Sequence, residues 1–530
     1  MEADAVFHGG RIYPTADPQK VYGALAVVGG RVRALGHTIS DIQKYIGPRT
    51  QIVDLKGHTV LPGFHDAHCH VLLFGLGLLQ VDLRSATSIA QIVQAIAHQA
   101  QQTPKGRWIR AWGYNDTKLV ERRHPTRMDL DPVSQDHPVF LAHISGHMCV
   151  ANSKALQLAG ITPETPNPPG GVIERDHEGQ PTGVLKEAAG ELVKRILPPY
   201  TLKEAKEALA AANARFVQEG ITAVADAWAG WIVPQEFRAY QEAIAEGRLL
   251  VRVTLMPDIE SLPVKDGRLD FAWGWHTGFG SDRLRLGAVK IFLDGSLIGR
   301  TAYLSEPYAS DPATCGLLVK SEERIYEQVR LVHEAGWQVA MHAIGDRAIE
   351  VGLKAIERVM GQDSHRWRPR LEHCGIVRPD LVLRLRAQSP IIVTQPHFVW
   401  ELAESFRWAL GERRLPWVYP FRTLWNSGLT VAFSSDRPVV EGAPLRGIEA
   451  ALCHHFTPTE TLSLQQALWA YTQGAAYANF WESDLGTLTE GRWADFVVLE
   501  EDPFVTPPHL LSQIPIRMTV IGGEVVYERS

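Results

Sequence analysis

Apolar residues recur along the chain in two rhythms. At both ends short β-rich runs alternate with glycine turns, in Ala5-Val6-Phe7, Ala24 to Val28 and Arg31 to Leu35, and again in Ala494 to Leu499 and Met518 to Tyr527. Runs so short, bounded by turn residues, read as strands of an antiparallel sheet. Both ends are expected to build one β-sandwich around an inserted middle. There, apolar runs of strand length alternate with segments of helical length, the pattern of an α/β domain. The first ends at His68 and His70, and seven more follow at 221–226, 250–256, 285–294, 337–342, 370–374, 391–395 and 429–436. Eight strands with helices between them predict a TIM-like (β/α)8 barrel.

One connection breaks the rhythm. Residues 75–200 separate the first two barrel strands and hold Trp108, Trp112, Tyr114, a proline-rich stretch from Pro163 to Pro169 and the strand-like run Val139 to His143. A connection of that length carries structure of its own. It predicts an inserted α+β domain over the barrel mouth, where such barrels hold their sites. The expected division is a composite sandwich of 1–60 plus 485–530, a barrel of 61–74 plus 201–484, and the insertion 75–200.

Composition changes this picture little. Apolar residues at 45% and charged residues at 21% are ordinary for a globular chain. A net charge of −6 with no long run of Lys and Arg argues against a nucleic-acid partner. The start, Met1 to Phe7, lacks a basic n-region and an apolar h-region, and no run reaches the roughly 18 apolar residues that span a bilayer. A cytoplasmic protein with no membrane partner is expected. The five cysteines, Cys69, Cys149, Cys315, Cys374 and Cys453, are scattered without a CxxC spacing and read as reduced thiols.

Candidate chemistry sits at the ends of the predicted strands. His68 and His70 are two apart, so on a strand both imidazoles face one point, which suits a divalent metal, while Cys69 faces the other way. Alone, such a pair is better explained by two histidines on an exposed strand end. Lys290 shares a strand face with Phe292 and Asp294, and a lysine inside a barrel needs a partner or a modification. His342, His373 and Asp436 end three later strands.

In five stretches the chain resembles the metal-dependent amidohydrolase superfamily, and most of all its family 3 branch of amidases and N-substituted formamide deformylases. They are Leu61-Pro62-Gly63-Phe64-His65-Asp66-Ala67-His68-Cys69-His70, Val289 to Ser296, Met341 to Asp346, Leu371-Glu372-His373-Cys374 and Ser434-Ser435-Asp436-Arg437-Pro438. The insertion joins the likeness through Gly146-His147, Asn152 to Leu156 and Pro181 to Glu187. The resemblance implies a sandwich plus barrel and a metal centre of one or two ions, usually Zn2+. One ion would bind His68, His70 and Asp436, another His342 and His373, with a CO2-modified Lys290 between them. Metal-activated hydroxide would attack a carbonyl, and Asp436 would carry the proton to the leaving amine.

The expected function is hydrolysis of a linear C–N amide bond, of N-substituted formamide or N-acyl amine type, in a small-molecule substrate. Two rivals stand beside it: a cyclic amidase or heterocycle deaminase on the same scaffold, and a metal-bearing regulatory or binding protein without turnover. A homodimer is the superfamily-level expectation. Candidate substrate contacts are Trp112, Tyr114, His147, Asp294 and His397, each with a structural alternative: Asp294 begins an Asp-Gly turn, and the aromatic residues, Phe398 and Trp400 among them, are singly better explained as core.

Overall fold

Burial on both faces explains the strands of the middle. Val339–Ala343 and Ile391–Thr394 are buried at every position, as parallel strands covered by helices must be. The helix Asp346–Met360 turns Ile349, Leu353 and Ile356 inward, at the spacing of one helical face. The computed structural model describes residues 2–529 except 117, 145–147, 170 and 271–273. The chain divides into two units, Met1–Leu72 with Ala212–Ser530, and Leu73–Ala211.

In the larger unit the central strands form two parallel sheets. One, of four strands, runs Leu284–Leu286, Arg252–Pro257, Ile221–Ala229, Phe64–Cys69; the other, of five, runs Val289–Phe292, Val339–Ala343, Arg370–His373, Ile391–Thr394, Val431–Phe433. The run expected as one strand at 285–294 is therefore two, with different partners. Its break falls at Gly287, whose N–H bonds Leu255 O at 2.7 Å while Val289 N–H bonds Gln338 O at 2.8 Å. A Cβ at Gly287 would lie 2.4 Å from Thr254 Cγ2, so the crossing needs glycine. At the other edge Asp436 N–H bonds His68 O and His70 N–H bonds Arg437 O, both at 2.8 Å.

The two chain ends share one eight-stranded sheet, in which Phe496–Leu499 pairs antiparallel with Thr59–Pro62. The expected sandwich is thus one hydrogen-bonded sheet. It curls, because Val32 from one edge and Val520 from near the other share a single apolar core with Phe7, Leu25 and Phe496.

The smaller unit is α+β by itself. Its six-stranded sheet packs Ile109–Tyr114 and Val139–His143 in parallel and finishes with antiparallel Met148–Ala151, Pro181–Glu187 and Gly171–Arg175. The helix Ile89–Gln102 buries Ile89, Ile92 and Ile96 into its core. All five cysteines are free, and among the described residues no helix is long and apolar enough to cross a membrane.

Candidate functional site

Three ligand-type atoms, from His68, His373 and Asp436, lie within 4.8 Å of one another, and all three residues are buried. They arrive from three strand ends: Phe64–Cys69, Arg370–His373 and the segment after Val431–Phe433. His68 and His70 do face one point, with Nε2 atoms 3.3 and 3.0 Å from the same Asp436 oxygen. Between them Cys69 turns away and its thiol meets Ala225 O at 3.5 Å. Lys290, fully buried, brings Nζ to 3.4 Å from His68 Nε2.

Hydrogen bonds behind the imidazoles fix their tautomers. His68 Nδ1 donates to the Glu372 carboxylate, and His373 Nδ1 donates to Gln395 Oε1 at 2.9 Å. Each leaves Nε2 as the nitrogen with a lone pair, the arrangement of metal-binding histidines. Glu372 in turn accepts from Arg370 at 2.6 and 3.0 Å. His342 donates Nε2–H to Gly295 O at 3.1 Å, which leaves Nδ1, and its ring sits 4.5 Å from that of His373.

Electrostatics match these roles. Burial pushes His342 well below its usual range and His373 down to about 3, so both rings are neutral. Burial also lowers Lys290 to about 8, against the raising influence of Glu372 and Asp436. For Asp436 burial alone would raise the carboxyl, but the His68 and His70 imidazoles beside it outweigh this and hold the group well below its ordinary value. Glu372 is lowered in the same way, burial being overcome by Arg370 and His68.

The candidate substrate contacts fare unevenly. Asp294 is occupied by backbone, accepting from Tyr303, Ile344 and Gly345 at 2.8 to 3.0 Å, and burial raises it to about 7. His397 is buried with Nε2 bonded to Ala443 O at 3.0 Å, away from the cavity above the cluster. Tyr114 lies in the apolar core of the smaller unit with its hydroxyl 3.2 Å from His124 Nδ1, and Trp112 donates to Gly77 O at 3.3 Å. His147 falls outside the described residues. Phe398 lines the cavity, whereas Trp400 donates to Cys453 O at 3.1 Å.

Residues that the sequence pattern did not single out complete the place. Glu372 is one; a buried Arg370-x-Glu372 pair on one strand face was its signal. Trp228, Leu402, Phe406 and Tyr419 line a cavity of about 210 Å3 with the histidines. They come from a strand end, the turn between two short helices, a helix and a loop, and carry no common spacing.

Residues 51–527 match the amidohydrolase family. The chain belongs to that family. YtcJ of Bacillus subtilis (strain 168), named as an amidohydrolase, is 34% identical over 99% of this chain and 100% of its own. The N-substituted formamide deformylase of Arthrobacter pascens is 28% identical over 96% and 95%. A crystal structure of a metal-dependent hydrolase from Pyrococcus horikoshii superposes with a TM-score of 0.79 at 30% identity, covering 95% of this chain and 99% of that one. As a family member this amidohydrolase is a metal-dependent hydrolase of carbon–nitrogen bonds.

Proposed function

We propose that this amidohydrolase cleaves a linear amide C–N bond, in a small N-substituted formamide or N-acyl amine, at the Asp436 end of the cavity. The observation that carries the reading is the convergence of His68, His373 and Asp436 within 4.8 Å at the floor of an apolar cavity. The relative named as an N-substituted formamide deformylase supports the substrate class.

The donor set fits a divalent ion. Imidazoles that present a lone-pair nitrogen beside an ionised carboxylate are zinc-type ligands. His68, His70 and Asp436 would hold one ion and His342 and His373 another, with Lys290 between them. Carboxylation of Lys290 by CO2 would replace a buried ammonium by an anion. A divalent ion in this place supplies Lewis acidity and a nucleophile near neutral pH.

The remaining work falls to the chain. Glu372 and Gln395 hold the His68 and His373 rings in one tautomer. Asp436, ionised and within hydrogen-bond reach of His68 and His70, accepts a proton from the attacking water and returns it to the departing amine. The apolar walls keep bulk water from the reacting carbonyl.

Asp436→Asn keeps the shape and removes the proton acceptor. Turnover of N-substituted formamides is expected to fall by about 10²- to 10⁴-fold. Metal content per chain and the mass of the Lys290 peptide, kept under CO2, complete the test. Full turnover by a metal-loaded Asp436→Asn protein would remove Asp436 from the proton path, and a wild-type protein that binds no metal would end the hydrolase reading.

A further inference from the structure

The cavity above the ligand cluster has two aromatic walls. On the His70 side Trp228 stands 5.0 Å from Phe292 and 6.3 Å from the His70 ring, and Trp231 backs it at 4.0 Å. On the His373 side Phe398 lies nearly parallel to the His373 ring at 6.4 Å, with Phe406 6.5 Å behind it and Tyr419 6.0 Å from Phe406. Leu297 and Leu402 line the same cavity.

Every charged or titratable imidazole group in this lining belongs to the proposed ligand set. Elsewhere in the lining, among the described residues, polar side-chain atoms occur only at Ser296, the Trp228 indole and the Tyr419 hydroxyl. A charged substituent entering here would lose its hydration and, among the described residues of the lining, meet no counter-ion outside the proposed ligand set, a cost that a neutral apolar group escapes. There is room for a ring as well: an apolar cavity of about 150 Å3 accepts benzene, so one of about 210 Å3 accommodates a single ring with a short arm.

We propose that the substrate carries, beside its scissile bond, an uncharged apolar group of about one ring in bulk, held between the Trp228–Phe292 and Phe398–Phe406 walls. This rests on the amide-hydrolase reading of the same site and adds the chemistry of the group that the site selects.

The test compares kcat/KM of the metal-loaded enzyme for N-(2-phenylethyl)formamide, N-(2-carboxyethyl)formamide and N-(2-aminoethyl)formamide, with calorimetric titration of benzyl alcohol alongside. The neutral aromatic formamide is expected to exceed both charged ones by about 100-fold or more. Leu402→Arg, at a half-buried wall position, is expected to shift the ratio toward the carboxylate by about tenfold. Phe406→Ala is expected to shift it toward a naphthyl analogue. Equal or better hydrolysis of a charged formamide, or charge selectivity unmoved in a folded, metal-loaded Leu402→Arg protein, overturns the proposal while leaving the hydrolase reading in place. Benzyl alcohol binding that Leu402→Arg weakens, with no formamide cleaved, supports the apolar cavity and overturns the formamide reading of the site instead. No benzyl alcohol binding and no preference among the formamides overturns the proposal outright.

Discussion

Glu372 shows how much of the site sits one residue behind the proposed ligands. Its carboxylate is shared between the guanidinium of Arg370 and Nδ1 of His68, with all three groups buried. Glu372→Gln removes the charge from both partners. Metal affinity, read by competition with a chromogenic chelator, is expected to fall by about 10- to 100-fold. Glu236 offers a second residue-scale outcome, away from the ligands. Burial, and then the nearby charge of Asp226, raises it to about 7 from its ordinary 4.5. A carboxyl raised in the folded state binds a proton there that the unfolded chain has already released, so its contribution is complete below about 4.5 and is lost as pH climbs through about 7. Glu236→Gln is therefore expected to flatten the fall in thermal midpoint between those two pH values; an unchanged slope would place its titration elsewhere. The six ligand candidates were legible because strand alternation and strand ends are local properties. His397 shows the limit: its position after a strand places it near the mouth, but packing against Gly447 and a bond to Ala443 O tuck the ring away.

At the scale of elements, the strand that bears His68 and leads into His70 depends on a close crossing at its start. A Cβ at Gly63 would stand 2.2 Å from Thr222 Oγ1 and 2.4 Å from its Cγ2, on the neighbouring strand. Gly63→Ala is expected to destabilise the protein by about 1–3 kcal/mol in chemical denaturation. Thr222→Ala in the same chain should recover part of that, and if it recovers none, the clash lies elsewhere. Element types were legible in the alternation of strand-length and helix-length runs. The division of 285–294 into two strands was not, because Gly287 looks like any strand glycine until the two neighbours with which the chain pairs are known.

Across the whole larger unit, a buried ion pair ties the curled terminal sheet to the central strands. Arg252, on the Arg252–Pro257 strand, donates to Asp495 at 2.7 and 3.0 Å, and its guanidinium lies 4.2 Å from the Trp493 ring. Asp495 also accepts from Gly522 N–H at 2.7 Å, in the turn between the last two strands. Removing one partner strands the other charge. Arg252→Met is expected to cost about 3–5 kcal/mol, and Arg252→Met with Asp495→Leu distinctly less, both read from denaturant midpoints. If the double variant proves no better than the single, the pair is not the source of the loss.

What the chain determined by itself is whatever depends on near neighbours: the strand and helix rhythm, the return of the last strands to the style of the first, and the strand-end histidines, lysine and aspartate that carry the family likeness. Side chains two apart on a strand share a face whatever surrounds them, so that layer can be read from order alone. Only the tertiary structure decided which oxygen His68 and His70 share, which carboxylate fixes the tautomer of His68, and which aromatic rings wall the cavity. Those relations join residues hundreds of positions apart, and their distances are set by how sheets and helices pack.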